Sequence, residues 1–434
     1  MAREMKDSGI EWIGEVPTHW ELSRAKNHFV QSFLKGNKEL VLLSATQNEG
    51  VIPKNRLDGV VQVKEDTDLS TFKTVHHGDY VISLRSFQGG FEMSEHEGVI
   101  TPAYTVFRNR NVIDNGYFKR LFKSDGFIAK INSLTVGIRE GKNIMFSDFA
   151  NSIIPVPPLE EQARIANFLD SKCSKIDETI EKEKEVIEKL KAYKQSVITE
   201  AVTQGLNPEV PMKDSRIEWI GGIPDHWKVV KMNSIFTFLG GFAFSSDKYT
   251  DETNNQVIRI GNVKSDNLVL DTNPVYISDE YSMAALSSEI KVEDILFTMT
   301  GTKGKRDYFY TLLIEKEQLN GKKLFLNQRV GCLRNRGNVY PRYYTYLLKN
   351  ERILDSIFIY ETGTANQGNL GMEIIKRTKL HFPPLKEQVE IVAYLNRCCS
   401  NIDDIIMRKQ QVIDKLVEYK KSLIYECVTG KREV

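Results

Sequence analysis

The stretch PPLEEQARIANFLDSKCSKIDETIEKEKEVIEKLKAYKQSVITEAVTQG, from Pro157 to Gly205, determines the predicted architecture, because the chain contains it twice. The copy PPLKEQVEIVAYLNRCCSNIDDIIMRKQQVIDKLVEYKKSLIYECVTG runs from Pro383 to Gly430, at an offset of 226 residues (383 minus 157). Two prolines followed by a charged first turn predict a helix start, because proline fits the first helical position and needs no donor there. The sequence therefore predicts two long helices at corresponding positions of a duplicated chain.

Apolar residues recur in both copies at alternating steps of three and four, which is a heptad pattern carried for about four heptads. The predicted seam consists of Ile176, Ile180, Ile187, Leu190 and Val197 in the first copy and Ile402, Ile406, Ile413, Leu416 and Leu423 in the second. Charges interrupt it at matching places, at Glu183 and Lys409 and at Lys194 and Lys420. Two amphipathic helices in separate domains remain an alternative, but matching interruptions favour an antiparallel coiled coil between the copies.

A shorter repeat lies upstream of each helix. KDSGIEWIGEVPTHW spans residues 6–20 and returns as KDSRIEWIGGIPDHW at 213–227, an offset of 207 (213 minus 6). The second intervening region is therefore 19 residues longer (226 minus 207). Two tryptophans and a proline predict a clip that packs on its own domain. We interpret His19 and His226 as structural, because no second histidine or acid recurs at metal-ligand spacing.

Between clip and helix, each half carries short β-rich runs separated by Gly, Asn and Asp turns, together with helical segments. The predicted fold class is α/β (α+β) recognition domains in tandem, each followed by a long helix, with the two helices paired as an antiparallel coiled coil of pseudo-twofold symmetry. The predicted segments are a first recognition domain at 1–153, a first spacer helix at 154–207, a second recognition domain at 208–379 and a second spacer helix at 380–434. Two runs align between the halves: 78–83 with 293–298, and 105–108 with 331–334.

Composition excludes several classes of protein. Hydrophobic content of 41% and charged content of 27% are typical of a soluble globular chain. No apolar run approaches the roughly 20 residues of a membrane span, and the N-terminus lacks the apolar core of a signal peptide. Five cysteines without Cys-x-x-Cys spacing argue against zinc and for a reducing cytoplasm. The net charge of +1 counts mildly against a large nucleic-acid surface, although the clustering of charge matters more.

The sequence contains no recognisable catalytic signature. Phosphate-loop, Gly-x-Ser-x-Gly and His-Glu-x-x-His motifs are absent, so we predict no catalysis and no bound cofactor or metal. The glycine-rich piece at 300–305 lies between predicted strands instead of opening a helix. We interpret it as a loop that contacts nucleic-acid phosphate, with a solvated turn as the alternative.

Duplex recognition needs forked donors for guanine, amides for adenine and basic groups for phosphate, and loops of both halves supply all three. The candidate DNA-binding residues are Thr46, Gln47, Asn48, Arg85, Ser86, Gln88, Arg139, Lys142 and Asn143 in the first half and Arg259, Asn262, Thr300, Thr302, Lys303, Lys305, Arg306, Asn366, Gln367 and Asn369 in the second. Any one of these side chains alone is more often solvated. Their clustering in matching loops favours a DNA surface.

The clip IEWIGxxPxHW, the strand and loop EDILFTMTGTKGK with NQRVG downstream, and the PPLxEQ helix ending Tyr-Lys-x-Ser-x-Ile resemble the specificity subunit of Type I restriction–modification enzymes over nearly the whole chain. The resemblance implies that each insert is a target recognition domain, that each helix is a spacer, and that the pair reads a gapped site in double-stranded DNA. It also implies DNA-facing loops at Arg85, Ser86 and Gln88, at Thr300, Thr302 and Lys303, and at 137–143 and 363–369.

By the same resemblance, the subunit is not itself an enzyme. It holds two methyltransferase subunits and recruits restriction–translocation subunits, and those partners use S-adenosylmethionine and ATP. Two other hypotheses remain open. A coiled-coil interaction scaffold would show no duplex binding in the presence of the methyltransferase partner. A nuclease or methyltransferase in its own right would need a cofactor, and S-adenosylmethionine binding by the isolated chain tests for one.

Overall fold

A computed structural model describes residues 3–36, 40–47, 49–56, 69–83, 86–134, 144–364 and 366–434. The chain forms two compact units, one of residues 1–185 with 409–434 and one of residues 186–408. These units differ from the four consecutive segments of the sequence prediction, because each unit contains part of both long helices. Among the described residues, no helix combines the length and the apolar character that crossing a membrane requires.

The first unit is built from short strands and helices that precede one long helix. Its strands are β1 (Met5–Asp7), β2 (Glu15–Pro17), β3 (Glu21–Arg24), β4 (Phe29–Ser32), β5 (Leu43–Thr46), β6 (Gly50–Pro53), β7 (Lys73–Val75), β8 (Tyr80–Ile82), β9 (Glu92–Met93), β10 (Gly98–Ile100), β11 (Thr105–Asn109) and β12 (Ile153–Val156). Its helices are α1 (Ser86–Gly89), α2 (Asn115–Leu121), α3 (Asp125–Leu134), α4 (Phe146–Asn151) and α5 (Leu159–Gln204), and α5 continues into the second unit from residue 186.

The second unit repeats this order with additional strands. They are β13 (Met212–Asp214), β14 (Gly222–Pro224), β15 (Lys228–Lys231), β16 (Phe236–Gly240), β17 (Tyr249–Thr250), β18 (Asn255–Ile258), β19 (Tyr276–Ile277), β20 (Ile295–Thr298), β21 (Thr300–Gly301), β22 (Thr311–Leu313), β23 (Lys323–Leu326), β24 (Val330–Asn335), β25 (Thr362–Thr364), β26 (Gln367–Asn369) and β27 (Lys379–Phe382). The helices are α6 (Met232–Ile235), α7 (Asp279–Ala284), α8 (Pro341–Leu347), α9 (Glu351–Phe358), α10 (Met372–Arg377) and α11 (Leu385–Val428), and α11 belongs to the first unit from residue 409.

The central sheets of the two units have the same strand order, β4-β11-β8-β9 and β16-β24-β20-β22. Val106 pairs with Val81 in the first sheet, and Cys332 pairs with Leu296 in the second. These pairs join the runs that the sequence alignment matched between the halves. The alignment of the inserts is therefore confirmed at the level of strand register.

A buried ion pair crosses each central sheet at the same place. Arg108 donates to Asp79 at 2.7 Å, and Arg334 donates to Asp294 at 2.7 Å. Both carboxylates are almost fully buried, so removing either arginine would leave an uncompensated charge. The core beside the first sheet is aromatic: Phe29 contacts Phe118 edge-on at a ring separation of 5.2 Å, a favoured geometry.

The region between the clip and the long helix, which we call the insert, is joined to the rest of its unit by two paired strands. We call this strand pair the neck and the rest of the unit the frame. In the first unit β3 pairs with β12, and Arg24 lies opposite Ile153. In the second β15 pairs with β27, and Lys231 lies opposite Lys379. Because the chain enters and leaves each insert on adjacent antiparallel strands, one insert can differ from the other without moving the frame.

The glutamate of each PPLxEQ motif anchors the clip. Glu161 accepts hydrogen bonds from His19 at 2.9 Å and from the indole nitrogen of Trp20 at 3.1 Å. Burial opposes the ionisation of Glu161, but these bonds and one from Arg3 outweigh it and lower the pKa of the carboxyl. The clip prediction and the structural interpretation of His19 are consistent with this contact. The acid beside His19 is Glu161, which lies 142 residues away in the sequence and therefore not at metal-ligand spacing.

The second unit builds the same anchor at Glu387, which accepts from His226 at 2.6 Å and from Trp227 at 2.9 Å. Replacing Glu387 with Ala leaves the buried indole donor without its acceptor, so we expect the unfolding free energy to fall by about 1–3 kcal/mol. Glu390→Ala is the matched control, because Glu390 is exposed and its loss is expected to cost less than about 0.5 kcal/mol. Urea unfolding of both variants measures the difference, and equal losses would contradict the anchor.

The glutamine of the motif closes the start of each long helix. The Gln162 side-chain nitrogen donates to the Pro157 carbonyl at 2.8 Å, and its oxygen accepts from the Asp114 backbone at 2.8 Å. Gln388 makes the equivalent two bonds at 2.9 and 2.8 Å. The amide therefore ties the proline turn to the segment that leads into α2 or α8.

Ion pairs show that the long helices run antiparallel in the first unit. Lys409 donates to Glu183 at 2.7 Å, and Lys420 donates to Asp177 at 2.6 Å. From Lys409 to Lys420 the residue number rises along α11, while the number of the partner on α5 falls from Glu183 to Asp177. This order is that of antiparallel helices. Glu183 and Lys409 occupy the same repeat position, so the charges that interrupt the predicted seam neutralise one another.

The second unit contains the repeat equivalent of one of these pairs. Lys194 donates to Asp403 at 2.6 Å. At the offset of 226, these residues correspond to Lys420 and Asp177. The antiparallel pairing predicted from the sequence is therefore present within each unit.

The predicted seam is buried in part. The buried members are Ile176, Ile180, Ile187, Val197, Ile402, Ile413 and Leu423. Leu190, Ile406 and Leu416 are half-buried. The helix faces that carry these three side chains are partly open to solvent, so the seam is less closed there than at its other members.

Each helix ends against a buried tyrosine. The Tyr117 hydroxyl donates to the Val428 carbonyl at 2.8 Å, and the Tyr343 hydroxyl donates to the Val202 carbonyl at 2.8 Å. Carbonyls of the last turn have no partner within their own helix, so these bonds satisfy groups that would otherwise be buried unpaired. The end of α11 is thereby tied to α2, and the end of α5 to α8.

Candidate nucleic-acid interface

Two loops that the sequence analysis placed separately on DNA form one small sheet in the second unit. Its strand order is β21-β26-β25, with Thr300 opposite Asn369 and Gly301 opposite Gly368. The hairpin of β25 and β26 carries the predicted amide side chains of Asn366, Gln367 and Asn369. The glycine-rich piece follows a strand and opens no helix, as the sequence predicted.

Glu361 joins the two loops at their base. Its carboxylate accepts from the Tyr308 hydroxyl at 2.8 Å and from the Gly304 backbone at 3.0 Å. Burial, followed by the hydrogen bond to Glu361, raises the pKa of Tyr308, so the phenol stays a donor. The Lys303 ammonium then bridges to the Gly363 carbonyl at 3.0 Å.

Strand β25 of the β25–β26 hairpin requires glycine at position 363. Gly363 has φ of +120°, a region that other residues rarely adopt. A Cβ atom there would also collide with the Gln367 carbonyl oxygen. The close approach of the two strands therefore depends on this one missing side chain.

Most of the predicted residues of this loop pair lie at the surface. Lys303, Lys305, Asn366 and Gln367 are exposed, while Thr300, Thr302 and Asn369 are half-buried. Exposed amides and ammonium groups that converge on one hairpin are suited to base edges and phosphates. The structure thus brings these seven predicted residues together.

Arg306 does not join this group. Its guanidinium pairs with Asp355 at 2.5 Å and with Glu351 at 3.5 Å, and it lies 5.7 Å from the Phe358 ring centroid. These carboxylates on α9 neutralise its charge. In this structure the guanidinium of Arg306 is therefore paired with α9, and its DNA contact stays a prediction.

Arg259 and Asn262 hold a turn. The Asn262 side-chain oxygen accepts from the Arg259 backbone at 2.9 Å, and its nitrogen donates to the Val269 carbonyl at 2.8 Å. Asn262 is buried, while the Arg259 side chain donates to the Asn273 carbonyl. The amide of Asn262 is committed to the chain itself, so its position does not fit the predicted base contact.

In the first unit, Thr46 and Gln47 lie at the turn of the β5–β6 hairpin. The Thr46 hydroxyl accepts from the Glu49 backbone at 3.0 Å and donates to the Gly50 carbonyl at 3.1 Å, while Gln47 is exposed. Ser86 is buried, and its hydroxyl accepts from the Ser83 backbone at 2.7 Å, so it serves the start of α1. Asn48, Arg85, Arg139, Lys142, Asn143 and the side chain of Gln88 lie outside the described residues.

A buried carboxylate stands behind the first hairpin. Glu92 on β9 is 3% exposed and forms an ion pair with Lys123. Burial raises the pKa of Glu92 to about 7, although Lys123 and Lys119 act in the opposite direction. The same Lys123 ammonium donates to the Gln47 carbonyl at 3.2 Å.

Sequence reasoning missed the residues that support the candidate surface: Glu361, Tyr308, Glu92 and Lys123. Lys123 had a signal, because Lys349 follows it at the repeat offset of 226. The other three had none, since their partners are distant in sequence and differ between the halves. Within the described part of the chain, no cluster of His, Cys, Asp and Glu side chains is suited to holding a metal ion.

Comparison with known families gives a match to both halves of the chain. The family described as "Type I restriction modification DNA specificity domain" matches residues 30–192 and 224–415. The first match begins beyond its clip, the second begins within the last residues of its clip, and both extend well into the long helix. The matched segments cover most of the residues considered above.

Individual relatives are distant, and some of them align over nearly their full length. The Type I restriction enzyme MjaVIII specificity subunit of Methanocaldococcus jannaschii is 24% identical over 429 residues, covering 96% of this chain and 94% of the relative. One solved structure concerns complex assembly and conformational transition of the type I R-M system. One of its chains has a TM-score of 0.73 and 15% sequence identity, and the match covers 96% of this chain and 99% of that chain. The HsdS subunit of Thermoanaerobacter tengcongensis has a TM-score of 0.56 at 16% identity, with coverage of 96% and 98%. The structural likenesses support the fold.

Proposed function

We propose, from the premise that this chain belongs to the Type I restriction modification DNA specificity family, that it reads a bipartite, gapped site in double-stranded DNA. Each insert reads one half of the site, and the paired helices hold the two inserts in one subunit. The chain carries no chemistry itself. It is the recognition subunit of an enzyme complex.

The observation that carries this proposal is the repeated neck with different loops beyond it. β3–β12 and β15–β27 are equivalent frames, and the central sheets above them share one strand order. The polar surfaces differ at the equivalent hairpin: the turn between β5 and β6 carries exposed Gln47 and Glu49, whereas the turn between Val263 and Leu268 carries exposed Lys264 and Asp266. One scaffold with two unlike polar surfaces is what recognition of two unlike half-sites requires.

The exposed side chains of the second unit match the needs of duplex readout. Asn366 and Gln367 offer amides of the type that pairs with adenine in the major groove. Lys303 and Lys305 offer charge for phosphate contacts, which position a protein without reading sequence. The predicted DNA roles of these residues are part of the proposal.

The proposed partners beyond DNA are two methyltransferase subunits and the restriction–translocation subunits. Support for two equivalent partner positions comes from Tyr193 and Tyr419, which share one repeat position and are 61% and 49% exposed on the long helices. Exposed tyrosines are enriched where proteins associate. S-adenosylmethionine and ATP are then used by the partners, and the complex acts in the cytoplasm.

The test is an exchange of one insert. Residues 24–150 are replaced by the insert of another family member, in a cell that carries the modification subunits, and the methylated sites are read by methylome sequencing. The junctions fall at the neck, where Arg24 lies opposite Ile153, so the frame is retained. We expect one half of the methylated sequence to change, because base contacts arise from loops within one insert.

The reciprocal exchange of residues 232–378 is the matched control and is expected to change the other half alone. These junctions lie just inside Lys231 and Lys379 of the second neck. A change in both halves from either exchange, or no change from both, would refute the assignment of one insert to one half-site.

A further inference from the structure

Two lysines occupy the same repeat position in the two units, at the joint between consecutive helices. Lys123 lies between α2 and α3, and Lys349 lies between α8 and α9. Their numbers differ by 226 (349 minus 123), the offset of the long helices. Both side chains are about seven-tenths buried, at 27% and 29% exposure.

Lys123 reaches the tip of the first hairpin. Its ammonium donates to the Gln47 carbonyl at 3.2 Å and pairs with buried Glu92. Gln47 begins the turn between β5 and β6, where Thr46 pairs with Gly50. The lysine thus connects the helix joint to the backbone of the turn.

Lys349 reaches the equivalent place in the second unit, with different chemistry. Val263 pairs with Leu268 in a hairpin, and the Lys264 backbone donates to the Asn267 carbonyl at 2.9 Å across its turn. Asp266 lies in that turn, is 83% exposed and pairs with the Lys349 ammonium. A carboxylate therefore replaces the backbone carbonyl as the lysine's partner at the tip.

The helix joint that carries Lys349 is itself fastened to the long helix. The Asn350 side chain donates to the Thr199 hydroxyl at 2.9 Å, and the Gln195 side chain donates to the Lys349 carbonyl at 3.4 Å. Both partners lie on α5. The lysine therefore links the tip of a surface hairpin to the rigid element of the unit.

We propose that Lys123 and Lys349 are positioning residues, each of which fixes the tip of one hairpin against the helix joint that carries the lysine, so that the hairpin can enter a groove of its DNA half-site. This inference rests on the proposed function and adds the element that sets hairpin position. The lysine acts through the hairpin and contacts no base. Without the contact to the lysine, the tip of the hairpin would sample several positions. Base readout requires that the tip hold a single position.

The pair in the second unit allows a clean test, because its partner is exposed. Methionine retains an apolar stem of similar length at this largely buried position, and an ion pair with one exposed partner contributes little to folding, so Lys349→Met is expected to leave the complex assembled. The assembled complex with its modification subunits is assayed on DNA sites that carry single-base changes in one half or the other. We expect discrimination to fall about fivefold or more in the half read by the second insert, comparable with one lost base contact, and to stay unchanged in the other half.

The matched control is Lys376→Met. Lys376 is 33% exposed and pairs with Glu373 at 2.6 Å within α10, so it offers the same substitution and a similar ion pair whose partner lies on its own helix and not in a hairpin turn. Its discrimination is expected to equal that of the unchanged protein. Exchanging the charges in the double variant Lys349→Asp with Asp266→Lys is expected to restore discrimination.

Three outcomes would overturn the inference: normal discrimination by Lys349→Met, equal loss in both halves, or no recovery in the charge exchange. If Lys349→Met does not assemble, Asp266→Asn removes the same pair from its exposed side and is expected to give the same one-sided loss. Failure of the proposed function looks different, because the unsubstituted complex would then show no division of the site between the two inserts.

Discussion

Replacing Leu423 with Ala is expected to lower the unfolding free energy by about 3–4 kcal/mol. Leu423 is 1% exposed on α11, in the part of the helix that pairs with α5 in the first unit. Truncating a buried leucine removes its transfer free energy and leaves a cavity, and the two effects together typically cost about 3–5 kcal/mol. Urea unfolding followed by circular dichroism measures the loss.

Leu416→Ala is the matched control on the same helix. Both substitutions carry the same small change in helix propensity. Leu416 is half-buried, so its truncation removes less buried apolar surface, and water can fill the space that it leaves. We therefore expect the unfolding free energy to fall by about 1–2 kcal/mol. Equal losses for the two variants would contradict the burial pattern of the seam.

The duplication made much of the fold predictable. The repeat aligns two segments of one chain, so the matched runs around Val81 and Leu296 could be placed in one sheet position, although their offset of 215 (296 minus 81) differs from that of the long helices. The structure confirms that placement through the pairs Val106–Val81 and Cys332–Leu296. Heptad spacing likewise predicted paired helices, because a stripe of apolar residues must be covered.

The polar contacts could not be predicted in the same way. Lys420 was an interruption of the seam in the sequence, but its partner Asp177 becomes adjacent only when the helices run antiparallel in one register. Asn262 is the opposite case. A short amide bonds equally well to a base or to its own backbone, and the turn that commits it here depends on the Val269 carbonyl.

The compact units also escaped prediction for a physical reason. Sequence order divides a chain into consecutive segments, whereas an antiparallel pair brings the start of one helix beside the end of the other. Glu183 and Lys409 are therefore partners within one unit although 226 residues separate them (409 minus 183). The contact that anchors the clip could not be predicted for the same reason, because Glu161 lies far from His19 in the sequence and becomes its neighbour only in the folded chain.

The second unit is expected to lose stability in acid because a buried histidine becomes protonated on unfolding. His381 on β27 is fully buried and stacks on Trp227 at a ring separation of 5.4 Å. Burial lowers the pKa of His381 from 6.5 to about 4. The folded state therefore binds the proton more weakly than the unfolded state, and the stability that neutral His381 provides is lost as the pH falls from about 6.5 to about 4.

A pKa difference of this size corresponds to about 3 kcal/mol, since each unit is worth about 1.4 kcal/mol. Other groups titrate in the same range, so the comparison is made with His381→Phe, which keeps a ring against Trp227 but cannot bind a proton. Between pH 7 and pH 4, the unfolding free energy of the unchanged protein is expected to fall by about 3 kcal/mol more than that of the variant. Parallel pH profiles for the two proteins would show that the His381 imidazole reaches solvent before the unit unfolds.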